Sequence, residues 1–275
     1  MIHPTAVVDT RAEIDPSVEI GPYVIIEGPV RVGAGSIIAP HVHLLGQTTI
    51  GPGCRIHTAA VIGDYPQDRS FTGGTTFCEI GPECVLREHV TVHRGTKPGT
   101  KTSLGARCLL MANAHVGHNC ELADDVTLVN GCLLAGYVSV GSRAVISGNT
   151  GVHQFVRVGE LAMIGGLSKI TQDVLPFFTY DGPGVAVGVN VVGQRRAGLC
   201  SAERAELKAA YRRIYRMPGS LPAAVADLAD RLVTPAGLRL LEFLQAPSKR
   251  GIHGHSEQLD SQADLPATIP LDRAA

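Results

Sequence analysis

The side chains in this sequence that are best suited to proton transfer are four histidines in its middle: His93, His115, His118 and His153. An imidazole titrates near neutral pH and can therefore act as a general base. His115 and His118 lie on either side of Val116, so both flank one corner if Val116 points into a core. Two other interpretations stay open, ordinary polar turn residues or ligands of a zinc ion, although no carboxylate or thiolate lies in phase to complete a zinc site.

The elements that must position these histidines belong to a six-residue repeat. Of the 29 positions spaced six apart from Ile2 to Ile170, 26 are Ile, Val or Leu, and the exceptions are Asp68, Gly74 and Pro98. A period of six matches no helix face but is a multiple of the strand period of two, so each unit is a short strand with a turn. We predict an all-β solenoid, a left-handed parallel β-helix with three hexapeptides per coil and roughly eight or nine coils.

Stacking of successive coils brings distant residues together. A residue eighteen positions further along lies above its predecessor, so Gly136 is predicted to stack on His118 and Gln154 on Gly136. One edge of the solenoid would then present an imidazole, bare backbone and an amide.

Composition excludes several classes of protein. The chain has 275 residues, no Trp and 4% aromatic residues, so its core must be built from Ile, Val and Leu. A net charge of −1 argues against a protein that coats nucleic acid. No apolar run approaches the ~20 residues of a membrane-spanning helix, and no secretory signal is evident at the start. We therefore expect a cytoplasmic protein without stable membrane insertion.

Cysteine positions favour packing over chemistry. Six of the seven cysteines occupy the same phase of the repeat, where small side chains are needed, and we predict that they fill the core. They are Cys54, Cys78, Cys84, Cys108, Cys120 and Cys132.

Two polar stretches interrupt the repeat, at residues 64–77 and 96–103. Insertions in repeat proteins often gather on the binding face. The pattern alone leaves this interpretation and a harmless excursion equally open.

The chain after the repeat has a different pattern. We predict a β-helix over residues 1–190, a helical domain over 191–250 and a disordered tail over 251–275. Helices are expected near residues 200–245, with starts at Ser220 and Thr234. Four basic residues spaced four apart form a stripe on one helix, either a solvated face or a docking site for an acidic partner: Arg204, Lys208, Arg212 and Arg216.

A set of short motifs, in order along the chain, resembles one known family. The motifs are Pro66-Gln67-Asp68, His93-Arg94-Gly95, Asn113 to His118, Leu134-Ala135-Gly136, Val152 to Phe155, and Gly188-Val189-Asn190 followed by Arg195-Arg196. They are similar to those of the UDP-N-acetylglucosamine O-acyltransferases, which perform the first step of lipid A biosynthesis. The similarity spans about residues 1–245.

This resemblance implies a homotrimer with active sites between neighbouring solenoids and no cofactor. It implies transfer of an (R)-3-hydroxyacyl group from an acyl carrier protein thioester to the 3-hydroxyl of the glucosamine. His118 matches the general base and Gly136 the oxyanion donor. Sugar or nucleotide contacts match Gln67, Asp68, His93, His115, His153, Gln154, Asn190 and Arg196. Met163 and Gly166 match the positions that measure acyl length.

The chain departs from the family pattern at four positions. Ser70, Asn119, Tyr137 and Val192 stand where the family has Lys, Asp, His and Glu, and these changes concern the sugar nucleotide more than acyl transfer. The alternatives are a related N-acyltransferase acting on an amino-sugar nucleotide, or a zinc-binding or scaffold solenoid.

Overall fold

The computed structural model describes residues 1–253, and most of them form a three-sided solenoid of parallel strands. We number the strands in chain order and name the three sheets faces 1, 2 and 3. Face 1 contains nine strands: β1 (Val7–Val8), β4 (Ile25–Glu27), β7 (His43–Leu45), β10 (Val61–Asp64), β13 (Thr91–His93), β16 (His115–Val116), β19 (Leu133–Leu134), β22 (Gly151–Val152) and β25 (Lys169–Ile170).

Face 2 contains eight strands: β2 (Glu13–Ile14), β5 (Arg31–Val32), β8 (Gln47–Ile50), β11 (Phe77–Ile80), β14 (Lys101–Leu104), β17 (Glu121–Leu122), β20 (Ser139–Val140) and β23 (Arg157–Val158). Face 3 contains ten strands: β3 (Glu19–Ile20), β6 (Ile37–Ile38), β9 (Arg55–Ile56), β12 (Val85–Leu86), β15 (Leu109–Leu110), β18 (Thr127–Leu128), β21 (Val145–Ile146), β24 (Met163–Ile164), β26 (Phe178–Asp181) and β27 (Val185–Val189). β26 and β27 form an antiparallel pair that ends the sheet.

The aliphatic residues of the repeat point inward and stack from coil to coil. Val116 pairs with Leu134, eighteen residues later, and Leu134 with Val152. All six cysteines of the repeat are at most 1% exposed, which confirms that they pack in the core. The core therefore forms a column in which each coil removes the apolar surface of the previous one from water.

The coil length changes at two places, where a loop leaves the solenoid. Ile62 pairs with Val92 and Ile80 with Leu104, separations of thirty and twenty-four residues. We call residues 65–76 the long loop and residues 94–100 the short loop. Both predicted excursions are present. The first is one residue shorter at each end, because Asp64 and Phe77 lie in β10 and β11, and the second runs over 94–100 because residues 101–103 lie in β14 and pair with β11.

Four helices follow the solenoid: α1 (Val191–Arg196), α2 (Ser201–Tyr215), α3 (Leu221–Ala229) and α4 (Pro235–Gln245). Ser220 and Thr234 cap α3 and α4 with their side-chain oxygens, as the sequence predicts, and both helices have Pro in their first turn. α2 buries Leu207, Ala210 and Ile214. None of the helices between residues 1 and 253 is long and apolar enough to cross a membrane.

The end of the described chain returns to the solenoid. Ile252 bridges to Asp173, and the His253 ring accepts hydrogen bonds from the backbone N–H groups of Thr171 and Gln172. Residues 251–253 therefore differ from the predicted disordered tail, because a buried imidazole and backbone pairing hold them in place. The rest of that predicted tail, residues 254–275, lies outside the described residues.

Candidate active site

A groove of about 920 Å³ runs along face 1 at its corner with face 2. Its walls come from turns that follow β16, β19 and β22, and the long loop closes one side. Eight of the residues selected from the sequence line this one groove: Gln67, Asp68, His93, His115, His118, Gly136, His153 and Gln154.

One side of the His118 ring is fixed by an amide. The Oδ1 atom of Asn119 lies 3.1 Å from Nδ1 of His118 and also accepts the Thr96 backbone N–H at 3.0 Å. The backbone donor identifies this atom as the amide oxygen, so Nδ1 of His118 must carry the proton. His118 is thereby held in the tautomer whose Nε2 has a free lone pair, which is the form a general base requires.

Hydroxyl groups hold this amide in turn. Thr96 Oγ1 donates to Asn119 Oδ1 at 2.9 Å and lies 3.0 Å from the Tyr137 hydroxyl. Because the threonine proton is directed at the amide, the tyrosine hydroxyl is the donor in the second bond. The Tyr137 ring stands edge-on to His118, with 5.2 Å between ring centroids, and stacks on Phe155. The short loop thus joins a polar and aromatic support behind the base.

A carboxylate approaches the other side of the ring. Asp68 Oδ2, from the long loop, lies 3.6 Å from Nε2 of His118. The Ser70 backbone N–H donates to Asp68 Oδ1 at 2.8 Å, and this bond holds the pKa of the carboxyl below its usual value, with a smaller contribution from His118. The side of His118 that faces the groove therefore carries a nearby negative charge.

Gly136 lies directly against the imidazole, as the stacking argument predicts. A Cβ atom added at Gly136 would overlap the Cε1 and Nε2 atoms of His118, so a side chain fits there only if the imidazole moves. The Gly136 N–H makes no hydrogen bond within the described chain. The same position of the hexapeptide turn is Pro22 and Pro40 at the corner that follows face 3, which shows that a turn of this type needs no donor at this place. This N–H is free to bind a ligand.

Two further histidines form the floor of the groove. The Nδ1 atom of His93 donates to the Tyr65 carbonyl oxygen, and His115 Nδ1 lies 2.7 Å from the Thr91 hydroxyl. Burial lowers the pKa of His115 to about 4, and the neighbouring His93 and His118 add to the effect. His115 is therefore neutral at physiological pH and suits hydrogen bonding better than charge.

The remaining selected residues lie elsewhere. Met163, Asn190 and Arg196 line a second groove of about 560 Å³ beside face 3, and Gly166 lines neither groove. The Asn190 side chain caps α1 by accepting the Gly193 N–H, and it donates to the Leu161 carbonyl oxygen. Its amide thus has a structural task that the sequence did not indicate, whereas Arg196 is exposed.

Sequence reasoning missed the supporting role of Thr96, Tyr137 and Phe155. Asn119, Tyr137 and Phe155 are eighteen residues apart and share one turn position with a positive φ, so the repeat could have indicated their stacking. No periodic signal could have placed Thr96, because it belongs to a loop.

The basic stripe on α2 is only partly free. Arg204 is half-buried and donates to the Leu199 carbonyl oxygen, while Lys208, Arg212 and Arg216 are exposed, and Arg216 also donates to the Tyr211 hydroxyl at 2.9 Å. Within residues 1–253, no three His, Cys, Asp or Glu side chains converge as a metal site requires.

Comparison with known proteins agrees with this description. A model of bacterial hexapeptide transferases matches residues 11–46, and a model described as UDP N-acetylglucosamine O-acyltransferase, domain 2, matches residues 173–253. The fold and groove therefore define a hexapeptide-repeat transferase.

Curated relatives give the family. A protein of Agrobacterium fabrum named acyl-(acyl-carrier-protein)–UDP-N-acetylglucosamine O-acyltransferase is 39% identical over 261 residues, 91% of this chain and 94% of that protein. A protein of the same name from Gloeothece citriformis is 44% identical over 200 residues, 72% of each chain. The chain belongs to the UDP-N-acetylglucosamine O-acyltransferase family.

Solved structures agree. The UDP-N-acetylglucosamine acyltransferase of Francisella novicida superposes with a TM-score of 0.88 at 33% identity, covering 92% of this chain and 93% of that one. The Moraxella catarrhalis enzyme gives 0.88 at 36% identity, covering 91% and 98%. These neighbours are left-handed β-helices, which confirms the predicted fold.

Proposed function

We propose that this protein transfers an (R)-3-hydroxyacyl group from acyl carrier protein to the 3-hydroxyl of UDP-N-acetylglucosamine, the first step of lipid A biosynthesis. The observation that carries the proposal is the pairing of His118 with Gly136. One presents a free Nε2 lone pair and the other a free N–H, and both line the same groove. The names of the relatives supply the substrates.

The reaction follows from these two groups. Nε2 of His118 takes the proton of the sugar 3-hydroxyl as that oxygen attacks the thioester carbonyl carbon. The carbonyl oxygen becomes an oxyanion, which the Gly136 N–H stabilises; such a donor contributes about 3–4 kcal/mol in other acyl transfers. The C–S bond then breaks, an ester forms, and the proton passes from Nε2 to the sulfur of the carrier protein.

The two grooves give a reason for assembly. His118 lies beside face 1, whereas Met163 and Arg196 lie beside face 3. If all three serve one substrate complex, face 1 of one copy must approach face 3 of another.

The outward side chains support this arrangement. Val7, Ile25 and Leu133 on face 1 and Ile37 on face 3 are exposed, while face 2 carries ion pairs such as Glu13–Arg31. Val7 and Ile25 are neighbours in adjacent coils, and a contiguous exposed apolar strip of this kind favours an interaction face. A closed ring that uses two faces of each subunit gives the homotrimer that we propose, in the cytoplasm.

Acyl carrier protein is the proposed acidic partner of α2. Lys208, Arg212 and Arg216 are exposed and provide its positive charge, whereas Arg204 is half-buried and donates to the Leu199 carbonyl oxygen. Affinity that depends on such charges falls as salt screens them. An Arg212→Glu variant should therefore weaken binding of the carrier protein, most clearly at low ionic strength.

A transfer assay tests the proposed function. Purified protein is given acyl carrier protein thioesters with UDP-N-acetylglucosamine or with a UDP-amino sugar, and the product is identified as an ester or an amide. His118→Ala should lower turnover about 10²–10⁴-fold, while His3→Ala, an exposed histidine outside the groove, should not.

The outcomes separate the alternatives. An amide product favours the N-acyltransferase, and absence of transfer to either acceptor favours the scaffold. Light scattering that finds a stable monomer at micromolar concentration would contradict the trimer.

A further inference from the structure

Proton transfer creates a charge that His118 must tolerate. When Nε2 takes the hydroxyl proton, the neutral ring becomes an imidazolium. Its Nδ1–H is bonded to the Asn119 amide oxygen, a neutral acceptor that fixes the ring but supplies no negative charge. A buried or half-buried cation without a counter-charge is costly, so the site needs a carboxylate elsewhere.

The long loop places one at the required distance. Asp68 Oδ2 lies 3.6 Å from Nε2, and only 12% of the His118 side chain and 31% of the Asp68 side chain are exposed. Solvent therefore screens the pair less than it screens a surface ion pair.

Asp68 is also held in a position to act. Its Oδ1 is occupied by the Ser70 N–H, which directs Oδ2 towards the ring. Among residues 1–253, the one basic side chain within 4 Å of the Asp68 carboxylate is His118. The adjacent Arg69 forms no ion pair with it. The same bond from Ser70 keeps the carboxyl ionised at neutral pH, since it lowers the pKa.

We propose that Asp68 is the electrostatic partner of the His118 imidazolium, so that the two nitrogens of the base are served separately: Asn119 fixes the tautomer and Asp68 balances the charge. This inference rests on the proposed function and adds to it. It gives Asp68 a role in the transition state that differs from the sugar contact implied by the family resemblance. A contact to the bound sugar acts on KM, whereas a counter-charge acts on kcat.

The experiment uses Asp68→Asn, Asn119→Asp and the double variant in the full-length protein. Asparagine at 68 can still accept the Ser70 N–H, and aspartate suits the positive φ of position 119, as Asp125 shows at the same turn position. Glu121→Gln is the control, because it removes an exposed carboxylate three residues after His118 on another face. Steady-state rates are measured across pH, and the His118 imidazole is titrated by NMR in the enzyme without substrate.

We expect Asp68→Asn to lower kcat about tenfold and to move the midpoint of the His118 titration down by about one pH unit, while KM changes less than about threefold. Asn119→Asp should move the midpoint up. In that background Asp68→Asn should cost less than about threefold in kcat, because the new carboxylate supplies the charge. Glu121→Gln should change neither quantity.

Three results would overturn the inference: an unchanged titration midpoint in Asp68→Asn, an effect confined to KM, or an equal cost of Asp68→Asn with and without Asn119→Asp. The NMR titration needs no turnover. If the wild-type protein transfers no acyl group, the proposed function fails, and the titration alone still decides whether Asp68 and His118 are coupled.

Discussion

The two loops that leave the solenoid reach the same imidazole from opposite sides. The long loop brings Asp68 to Nε2 of His118, and the short loop brings Thr96 to Asn119, which accepts the Nδ1 proton. The first contact is charged and partly exposed. The second is neutral and buried, with Thr96 at 7% exposure.

The difference shows that separate contacts can fix the orientation of the His118 ring and stabilise its positive charge. Hydrogen bonds to a neutral amide depend on geometry and are insensitive to salt, so they suit the choice of tautomer. A carboxylate acts through its field and responds to ionic strength, so it suits a charge that appears only during the reaction. The two loops also touch each other, through the Gly99 N–H that donates to the Thr75 carbonyl oxygen and the Arg94 guanidinium over the Tyr65 ring, so side-chain substitutions separate the two contacts better than loop deletions would.

Displacing the ring breaks both contacts together and should have the largest effect. Gly136→Ala introduces a Cβ that overlaps Cε1 and Nε2 of His118, so the ring must shift, and its contacts with Asp68 and Asn119 change with it. We expect kcat to fall about 10²-fold, because loss of general base catalysis is worth this much. Gly188→Ala is the matched control, since its added Cβ meets nothing within 4 Å. Equal rates for the two variants would contradict the position of the ring.

The effect of the Asp68 carboxylate on His118 is simplest to measure if the neighbouring His115 carries no charge. Its pKa is about 4 in the folded protein against 6.5 when unfolded, so the unfolded chain binds more protons in this window. Stability is thus complete above pH 6.5 and is lost as pH falls towards 4. We expect His115 to account for about 2 kcal/mol of the loss in unfolding free energy between pH 7 and pH 5.

Denaturant titrations of the wild type and His115→Gln at both pH values measure this loss. The glutamine does not titrate, so the variant should show a smaller difference between the two pH values. Identical differences would mean that His115 is not buried as a neutral group.

Removing one hydroxyl tests the short loop alone. Thr96→Val keeps the backbone N–H that binds Asn119 but removes the bonds to the amide and to Tyr137. We expect kcat to fall about three- to tenfold, since each neutral hydrogen bond contributes about 1 kcal/mol. The loss should stay constant between 0.05 and 0.5 M salt, concentrations of the order at which charge effects are screened, whereas the loss in Asp68→Asn should shrink. Tyr137→Phe is the milder comparison, and a larger loss there than in Thr96→Val would contradict the order of the network.

A change away from both loops should leave proton transfer intact. Gly166 is exposed at a turn after β24, and an added Cβ there meets only the Gly148 carbonyl oxygen at 3.4 Å. If this turn borders the acyl channel, Gly166→Met should shorten the preferred donor from about 12–14 carbons, with each pair of methylenes worth at most ~1.6 kcal/mol. Rates across a series of donor lengths measure the shift. An unchanged length profile would place the limit of the channel elsewhere.

The sequence predicts those structural features that follow from the six-residue repeat. Positions six apart identify the inward residues, the buried cysteines and the stacking of Gly136 on His118, because each follows from coil geometry. The sequence does not predict the contact of Asp68 with His118 or of Thr96 with Asn119. Loop residues have no period, and their positions depend on the surface against which they fold. The structural use of Asn190 was missed for a related reason, since a cap is recognisable only when the helix start is known.

The coil lengths have one more consequence. The pairs Ile62–Val92 and Ile80–Leu104 exceed the ordinary separation by twelve and six residues, which are whole multiples of the hexapeptide. Each loop is therefore a phase-neutral insertion: it can lengthen, shorten or disappear in units of six without shifting any inward residue to the surface. The loops beside His118 can thus change while the solenoid keeps its register. New preferences for the acceptor substrate can therefore arise in the loops without any change in the coils that position His118.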